Sequence, residues 1–206
     1  MSSQSQSSAW SRVPLNRDTV LGAARRRVVE SGLGSLSSRV LAADLGVTPM
    51  ALYRHVRDMD DVLGAVVDDA LADLGIPDLS EPWRAWLESL AQSLRRLFQE
   101  QPSALGLFTR QPVTTPAARK RLTSAVAVLT AAGFCRGDAE RAYAAVHTYT
   151  IGFCALESGR RGAPVQPTSL DGAADRASVT IRGFVSEDQF LVGLRALVSG
   201  LAAGSG

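Results

Sequence analysis

A chain of 206 residues, 46% hydrophobic but only 6% aromatic, is long enough for one large or two small domains with a substantial core, and suits helices rich in Ala, Leu and Val. The formal net charge of +2 says little, but residues 1–57 hold eight arginines against Asp18, Glu30 and Asp44, a net +5 that leaves −3 on the other 149 residues. No apolar run is long enough to span a bilayer and the Ser- and Gln-rich N-terminus lacks the apolar core of a signal peptide, which predicts a cytoplasmic protein with no membrane partner.

Residues 1–11 form a polar tail that buries too little to order itself. A first long helix is predicted from near Asn16, through Val20, Ala24 and Val28, to a stop at Gly32. Ser37 then caps a short helix that Gly46 ends in the left-handed conformation. Thr48 caps the next helix, and Pro49 fills its first position, where no N–H is needed. On that helix, which begins at residue 49, Leu52 and Val56 share one face, while Met50 and Arg54 lie roughly 200° away and look outward. Two short helices joined by a glycine turn, the second with an exposed polar and aromatic face, suit the placing of one helix in a DNA major groove. A basic head on a mildly acidic body fits that use, although a cluster of solvated arginines is the plainer reading of the charge alone. Asp58 caps a fourth helix with Asp60 and Asp61 in its first turn, which ends at Gly75 with Pro77 beyond. This gives a helix-turn-helix domain over residues 12–63 with a linking helix to about 75.

Residues 76–206 read as a second, larger helical domain. Trp83 to Gln99 carries an apolar stripe at 83, 86, 87, 90, 94, 97 and 98, and Pro102 and Pro112 break the next stretch into a short helix and a loop. A helix from Ala117 to Ala132 precedes Gly133. From Asp138 to Ser158, Ala139, Ala142, Val146, Tyr149, Phe153 and Leu156 recur at alternating spacings of three and four, one straight seam. Residues 159–186 are rich in Gly, Pro, Ser and Asp and read as a connection. Ser186 and Gln189 then form a capping box for a last helix whose apolar face is Phe190, Leu191, Leu194, Leu197, Val198 and Leu201. The two seams, with Ala142, Val146, Tyr149, Phe153, Leu156, Phe190, Leu194, Leu197 and Leu201 as contact residues, can pair with their copies in a four-helix dimer interface, or face the domain's own core.

From Leu15 to Leu63 the chain resembles the DNA-binding domain of the TetR family of bacterial transcriptional regulators. The resemblance rests on Ala24, Gly32, Leu36, Arg39, Leu41-Ala42, Leu45-Gly46-Val47, Leu52-Tyr53-Arg54-His55-Val56 and Leu63. It implies an all-α protein that binds a double-stranded, palindromic DNA operator as a homodimer and is released by a small-molecule effector. It makes Thr48, Pro49, Met50, Ala51, Tyr53, Arg54 and His55 the recognition helix, sends Arg39 to a base edge, and assigns Ser37, Ser38, Tyr53 and His55 to phosphates. Their chemistry allows this, because Arg grips guanine bidentately, hydroxyls and imidazole donate to phosphate oxygens, and Met50 and Ala51 suit a thymine methyl. The chain departs from the family at Met59, where a lysine is usual, and the neighbouring Asp58, Asp60 and Asp61 add local repulsion there. In the second domain the implied effector pocket would draw on Trp83, Trp86, Phe98, Phe108, Tyr143, His147, Thr150 and Phe153, each of which is also ordinary core material.

Enzymatic chemistry finds no support. There is no nucleophile elbow, H-E-x-x-H or P-loop, and Gly32-Leu33-Gly34 lacks both a further glycine at position 37 and a preceding strand. Cys135 and Cys154 form no C-x-x-C pair and read as small core residues, so no disulfide, metal site or cofactor is expected. A repressor released by a small effector is the favoured reading; an activator of the same build and a helical scaffold without sequence-specific DNA binding are the alternatives.

Overall fold

The computed structural model describes residues 14–110, 114–161 and 184–203, and all regular structure among them is helical. Contacts divide the chain into two compact units, one up to Val66 and one from Val67 onward.

In the first unit, α1 (Arg17–Ser31), α2 (Ser38–Leu45), α3 (Pro49–Leu52) and the start of α4 (Met59–Asp73) begin where side-chain caps exist. Asn16 Oδ1 accepts from Thr19 N at 2.8 Å, Ser37 Oγ from Val40 N and Thr48 Oγ1 from Ala51 N, both at 3.3 Å, and Asp58 Oδ1 from Asp61 N at 2.7 Å. Each satisfies an N–H that the first helical turn leaves without a partner. Gly46 ends α2 at φ 64°, with its own N–H on Ala43 O and that of Val47 on Ala42 O, a double closure that requires the left-handed residue. A short 3₁₀ turn, Leu33–Ser35, tucks the buried Leu33 beneath α1.

One expectation needs correcting. The recognition helix, which the family resemblance implies over residues 48–55, is regular only over Pro49–Leu52. Tyr53 takes ψ −3°, which tightens the chain so that His55 N donates to Leu52 O at 2.9 Å before Val56 N returns to the same oxygen at 3.1 Å. The inward pair survives the change: Leu52 and Val56 are buried with Val20, Ala24, Leu41 and Val62, and Met50 is 73% exposed.

The second unit is built around α8 (Arg136–Arg161), which meets α5 (Trp83–Glu100), α6 (Pro102–Arg110), α7 (Pro116–Ala131) and α9 (Glu187–Ala203). Its core joins Trp86, Leu87, Leu90, Ala125, Leu129, Val146, Phe190 and Leu194. Here the sequence expectation of a dimer seam is corrected. Ala142, Val146 and Phe153 of α8 and Phe190 and Leu194 of α9 are buried within the unit itself. Phe190 stacks on Tyr149 with ring centroids 5.6 Å apart and meets Phe153 edge-on at 5.1 Å, while Tyr149 Oη donates to Phe190 O at 3.0 Å. The C-terminal part of the stripe, Tyr149 and Phe153, packs on the chain's own last helix, and Val146 faces α5 and α7. Leu197, Leu201 and Tyr149 are half-buried, and of the expected seam only Leu156 stands well exposed.

Cys154 is buried as expected, whereas Cys135 is exposed and caps α8, its Sγ accepting from Asp138 N at 3.4 Å. Most of the expected connection, residues 162–183, and the tail at 1–11 lie outside the described residues.

Candidate nucleic-acid interface and effector cleft

The first unit presents Ser37, Arg39, Thr48, Pro49, Met50, Tyr53 and Arg54 to solvent, with Ser38, Ala51 and His55 half-buried. All belong to α2, to α3 and to the turns at their ends. Ser37 and Thr48 spend an oxygen lone pair on capping, yet each hydroxyl keeps its own proton to donate to a phosphate. Arg39 and Arg54 form no ion pair among the described residues, so both are available to an external anion.

The basic head is smaller than its arginine count suggests. Arg17 donates Nη1 and Nη2 to the two oxygens of Asp61 at 2.6 and 2.8 Å, and Arg27 donates to both oxygens of Asp44, Nε at 2.9 Å. The Arg17 hydrogen bonds, aided by Arg57 N at 3.1 Å, hold the Asp61 carboxyl down at a pKa of about 2. The repulsion expected at the start of α4 is thereby reduced, because Asp61 is neutralised and Asp58 caps the helix. Pairs 44 and 17 residues apart leave no local sequence signal.

In the second unit, Tyr143, Val146, His147 and Thr150 of α8 face Leu90, Ala91 and Leu94 of α5 and Arg121 of α7 across a cleft of about 10 Å³, roughly one water. Tyr143 and His147 stack at 5.5 Å; Phe108 lies 6.2 Å from His147 and meets Phe98 edge-on at 5.1 Å. Five of the eight pocket candidates are thus contiguous. The other three are placed elsewhere: Trp83 packs on Phe134, Trp86 anchors the start of α5 by donating Nε1 to Pro77 O at 3.1 Å, and Phe153 sits against Phe190.

The residue that sequence reasoning missed is Arg121, only 3% exposed. Its Nη1 donates to Gly75 O at 3.0 Å, and Nη2 to Leu90 O at 3.1 Å and Ser93 Oγ at 2.8 Å. Arg119 and Lys120 make the segment look like a solvated charge run, but Arg121 lies four residues before the buried Ala125 and eight before the buried Leu129, on the inner face of α7. Arg121 also lines a second, larger cavity of about 450 Å³, walled by Asp68, Leu71, Ala72, Gly75 and Ile76 on one side and Pro116, Ala117 and Lys120 on the other. Burial, reinforced by the Arg121 charge, pushes the His147 pKa down. Burial pushes Tyr143 up, and Arg121 partly offsets it. The cleft therefore holds a neutral imidazole and a neutral phenol beside a guanidinium.

A glycine-turned helix pair in the first unit, followed in the chain by a helical second unit with cavities, has the build of a helix-turn-helix regulator. Residues 76–204 match the tetracyclin repressor-like C-terminal domain, and the chain belongs to that family, the TetR family. It is 36% identical over 145 residues to an HTH-type transcriptional regulator of Saccharopolyspora erythraea, in an alignment covering 70% of this chain and 61% of that protein. Against the class A tetracycline repressor of transposon 1721 from Escherichia coli it is 29% identical over 199 residues, 91% of each chain. The crystal structure of BioQ with its natural double-stranded DNA operator superposes with a TM-score of 0.68 and 26% identity, covering 92% of this chain and 99% of that one. Among the described residues no helix is long and apolar enough to cross a membrane, and no group of three metal-ligating side chains occurs.

Proposed function

We propose that the protein is a cytoplasmic, homodimeric transcriptional repressor that binds a palindromic operator and is released by a small-molecule effector. The observation that carries this reading is the capped pair α2 and α3. Buried Leu41, Leu52 and Val56 pin the pair from within, while Arg39, Met50, Tyr53 and Arg54 stand outside, the two arginines without an ion-pair partner among the described residues. The domain assignment accords with it: residues 12–63 read DNA, the helix to about 75 links, and residues 76–206 bind effector and dimerise.

A dimer formed by α8 and α9 has to use their outward faces, because the inward residues are already core. Gly152, Ala155 and Leu156 on α8 and Val192, Ala196 and Gly200 on α9 are exposed, Leu156 and Val192 each at 59%. Small residues beside two large apolar ones suit close helix packing, and a symmetric pairing of such faces closes as a dimer.

The test is selection of bound sequences from a random duplex pool, then titration of the selected duplex over a range of salt. A repressor of this kind enriches a palindrome with half-sites about one helical turn or more apart, and its affinity falls steeply with salt. Enrichment of nothing, with no salt-dependent binding, would leave a helical scaffold. Transcription of a reporter placed behind the selected site separates repression from activation.

A further inference from the structure

We infer that Arg121 is the receptor for an acidic effector: a small organic carboxylate with an apolar body, bound in the cavity between α4 and α7. The inference rests on the effector-responsive reading above and gives that effector its chemical class.

Arg121 is a buried cation whose hydrogen bonds all go to neutral oxygens, those of Gly75, Leu90 and Ser93. No carboxylate lies within ion-pair distance of it among the described residues. The other buried arginine, Arg95, is treated differently: its Nη2 meets Glu157 Oε1 at 3.0 Å. Buried charges are ordinarily paired, and a guanidinium with neutral partners alone keeps most of its attraction for an anion in reserve. The titratable groups of the adjoining cleft, Tyr143 and His147, supply no negative charge, since burial keeps both neutral. Asp68, across the cavity, is occupied in accepting from Ala117 N at 2.7 Å. Its charge disfavours an acid group at its own end of the cavity and so directs one toward Arg121 and Lys120.

The space suits such a guest. A volume of about 450 Å³ is within the range of small-molecule sites, and Leu71, Ala72, Ile76 and Pro116 offer an apolar lining for its body. Arg121 also supplies a means of transmission. Its Nη1 holds Gly75 O, just past the end of α4, and a carboxylate forms a shorter, charge-assisted, bidentate pair with a guanidinium than a backbone carbonyl does. An acid seated on Arg121 therefore competes for the bond that fastens the end of α4, while its body presses on Leu71 and Ala72 of the same helix. α4 begins at Met59, three residues after the recognition turn closes at Val56.

The experiment uses the full chain and three matched pairs of probes: benzoate with benzamide, 1-naphthoate with 1-naphthamide, and decanoate with decanamide. Melting temperature is read for the wild type, for R121M, which removes the charge, and for A72E, which tethers a carboxylate in the cavity wall without touching Arg121. At least one acid is expected to raise the wild-type melting temperature by several degrees while its amide does not, as selective binding to the folded state requires. Both variants are expected to lose that response; A72E keeps the question answerable if R121M does not fold. An amide that matches its acid, an acid response that persists in either variant, or no response to any of the three acids would overturn the inference. Operator binding is measured on the same wild-type samples. Acid-dependent stabilisation without DNA binding defeats the regulator reading and leaves the site standing, whereas DNA binding without an acid response defeats the site alone.

Discussion

Arg17, the first residue of α1, holds both carboxylate oxygens of Asp61, the third residue of α4, so that the helix beneath the recognition unit and the helix leading away from it are joined by one bidentate pair. Asp61 is 17% exposed and Arg17 47%, so solvent screens part of the attraction. The Asp61 carboxyl is held at about 2, below its ordinary 3.8. A carboxyl lowered on folding contributes stability that is fully present above its unfolded pKa and is lost as pH falls through the folded one. The expected outcome is therefore a loss of stability from about pH 4 down to about pH 2 that D61N no longer shows. At pH 7, D61N should cost about 1 to 2 kcal/mol in urea unfolding, the full shift discounted for the exposure of Arg17.

Arg39 and Tyr53 should separate base reading from backbone holding. Arg39, on the first turn of α2, is free of ion pairs among the described residues, and R39A is expected to lower affinity for the selected operator by about 1 to 3 kcal/mol and flatten preference at one base pair. Y53F should weaken binding to every duplex alike, since a lost phosphate contact carries no sequence information. Titrating both variants against single-base operator substitutions checks this, and an unchanged preference profile for R39A would remove it from the base-reading set.

The division between what was legible in the chain and what was not tracks the reach of the interactions. Asn16, Ser37, Thr48 and Asp58 each cap an N–H three residues away, so the starts of α1 to α4 can be read from neighbours in sequence. The stripe on α8 has the same spacing whether its partner is α9 of the same chain or a second copy, and periodicity alone could not say that Phe190 fills that role. The aromatic candidates divided for a similar reason: Tyr143 and His147 share a face one helical turn apart, whereas Trp86 was taken out of the pocket by Pro77 O, a backbone acceptor with no signature. Arg121 was visible only to a reader who placed it in register with Ala125 and Leu129 and disregarded the charges beside it.

Gly193 of α9 faces the ring of Tyr149 on α8. A Cβ there would stand 2.9 Å from Tyr149 Cζ and closer still to its hydroxyl, and the Tyr149 ring is held by Phe153, Phe190 and the bond to Phe190 O. G193A is expected to cost about 1 to 3 kcal/mol through this overpacking, in spite of the better helix propensity of alanine. Combined with Y149A, which empties the space, the glycine replacement should become nearly neutral. A thermal-unfolding double-mutant cycle measures the difference, and additive costs would show that the two residues do not meet.

His147 supplies a pH dependence of its own. Burial among Phe108, Tyr143 and the helices around the cleft lowers its pKa, and the nearby Arg121 charge lowers it further. Because the folded state holds the proton less tightly than the unfolded chain, the unfolded state takes up protons first as the medium is acidified. The stability contributed by a neutral His147 is thus present above the unfolded pKa of about 6.5 and declines as pH falls from there toward the folded value. H147N, uncharged at every pH in this range, should flatten the curve of unfolding free energy between about pH 6.5 and pH 5. Chemical denaturation at half-unit steps, wild type beside H147N, reads this directly. The Asp61 contribution is lost only at lower pH, outside the range compared, and an identical slope in both proteins above pH 5 would mean that His147 is protonated as easily in the fold as out of it.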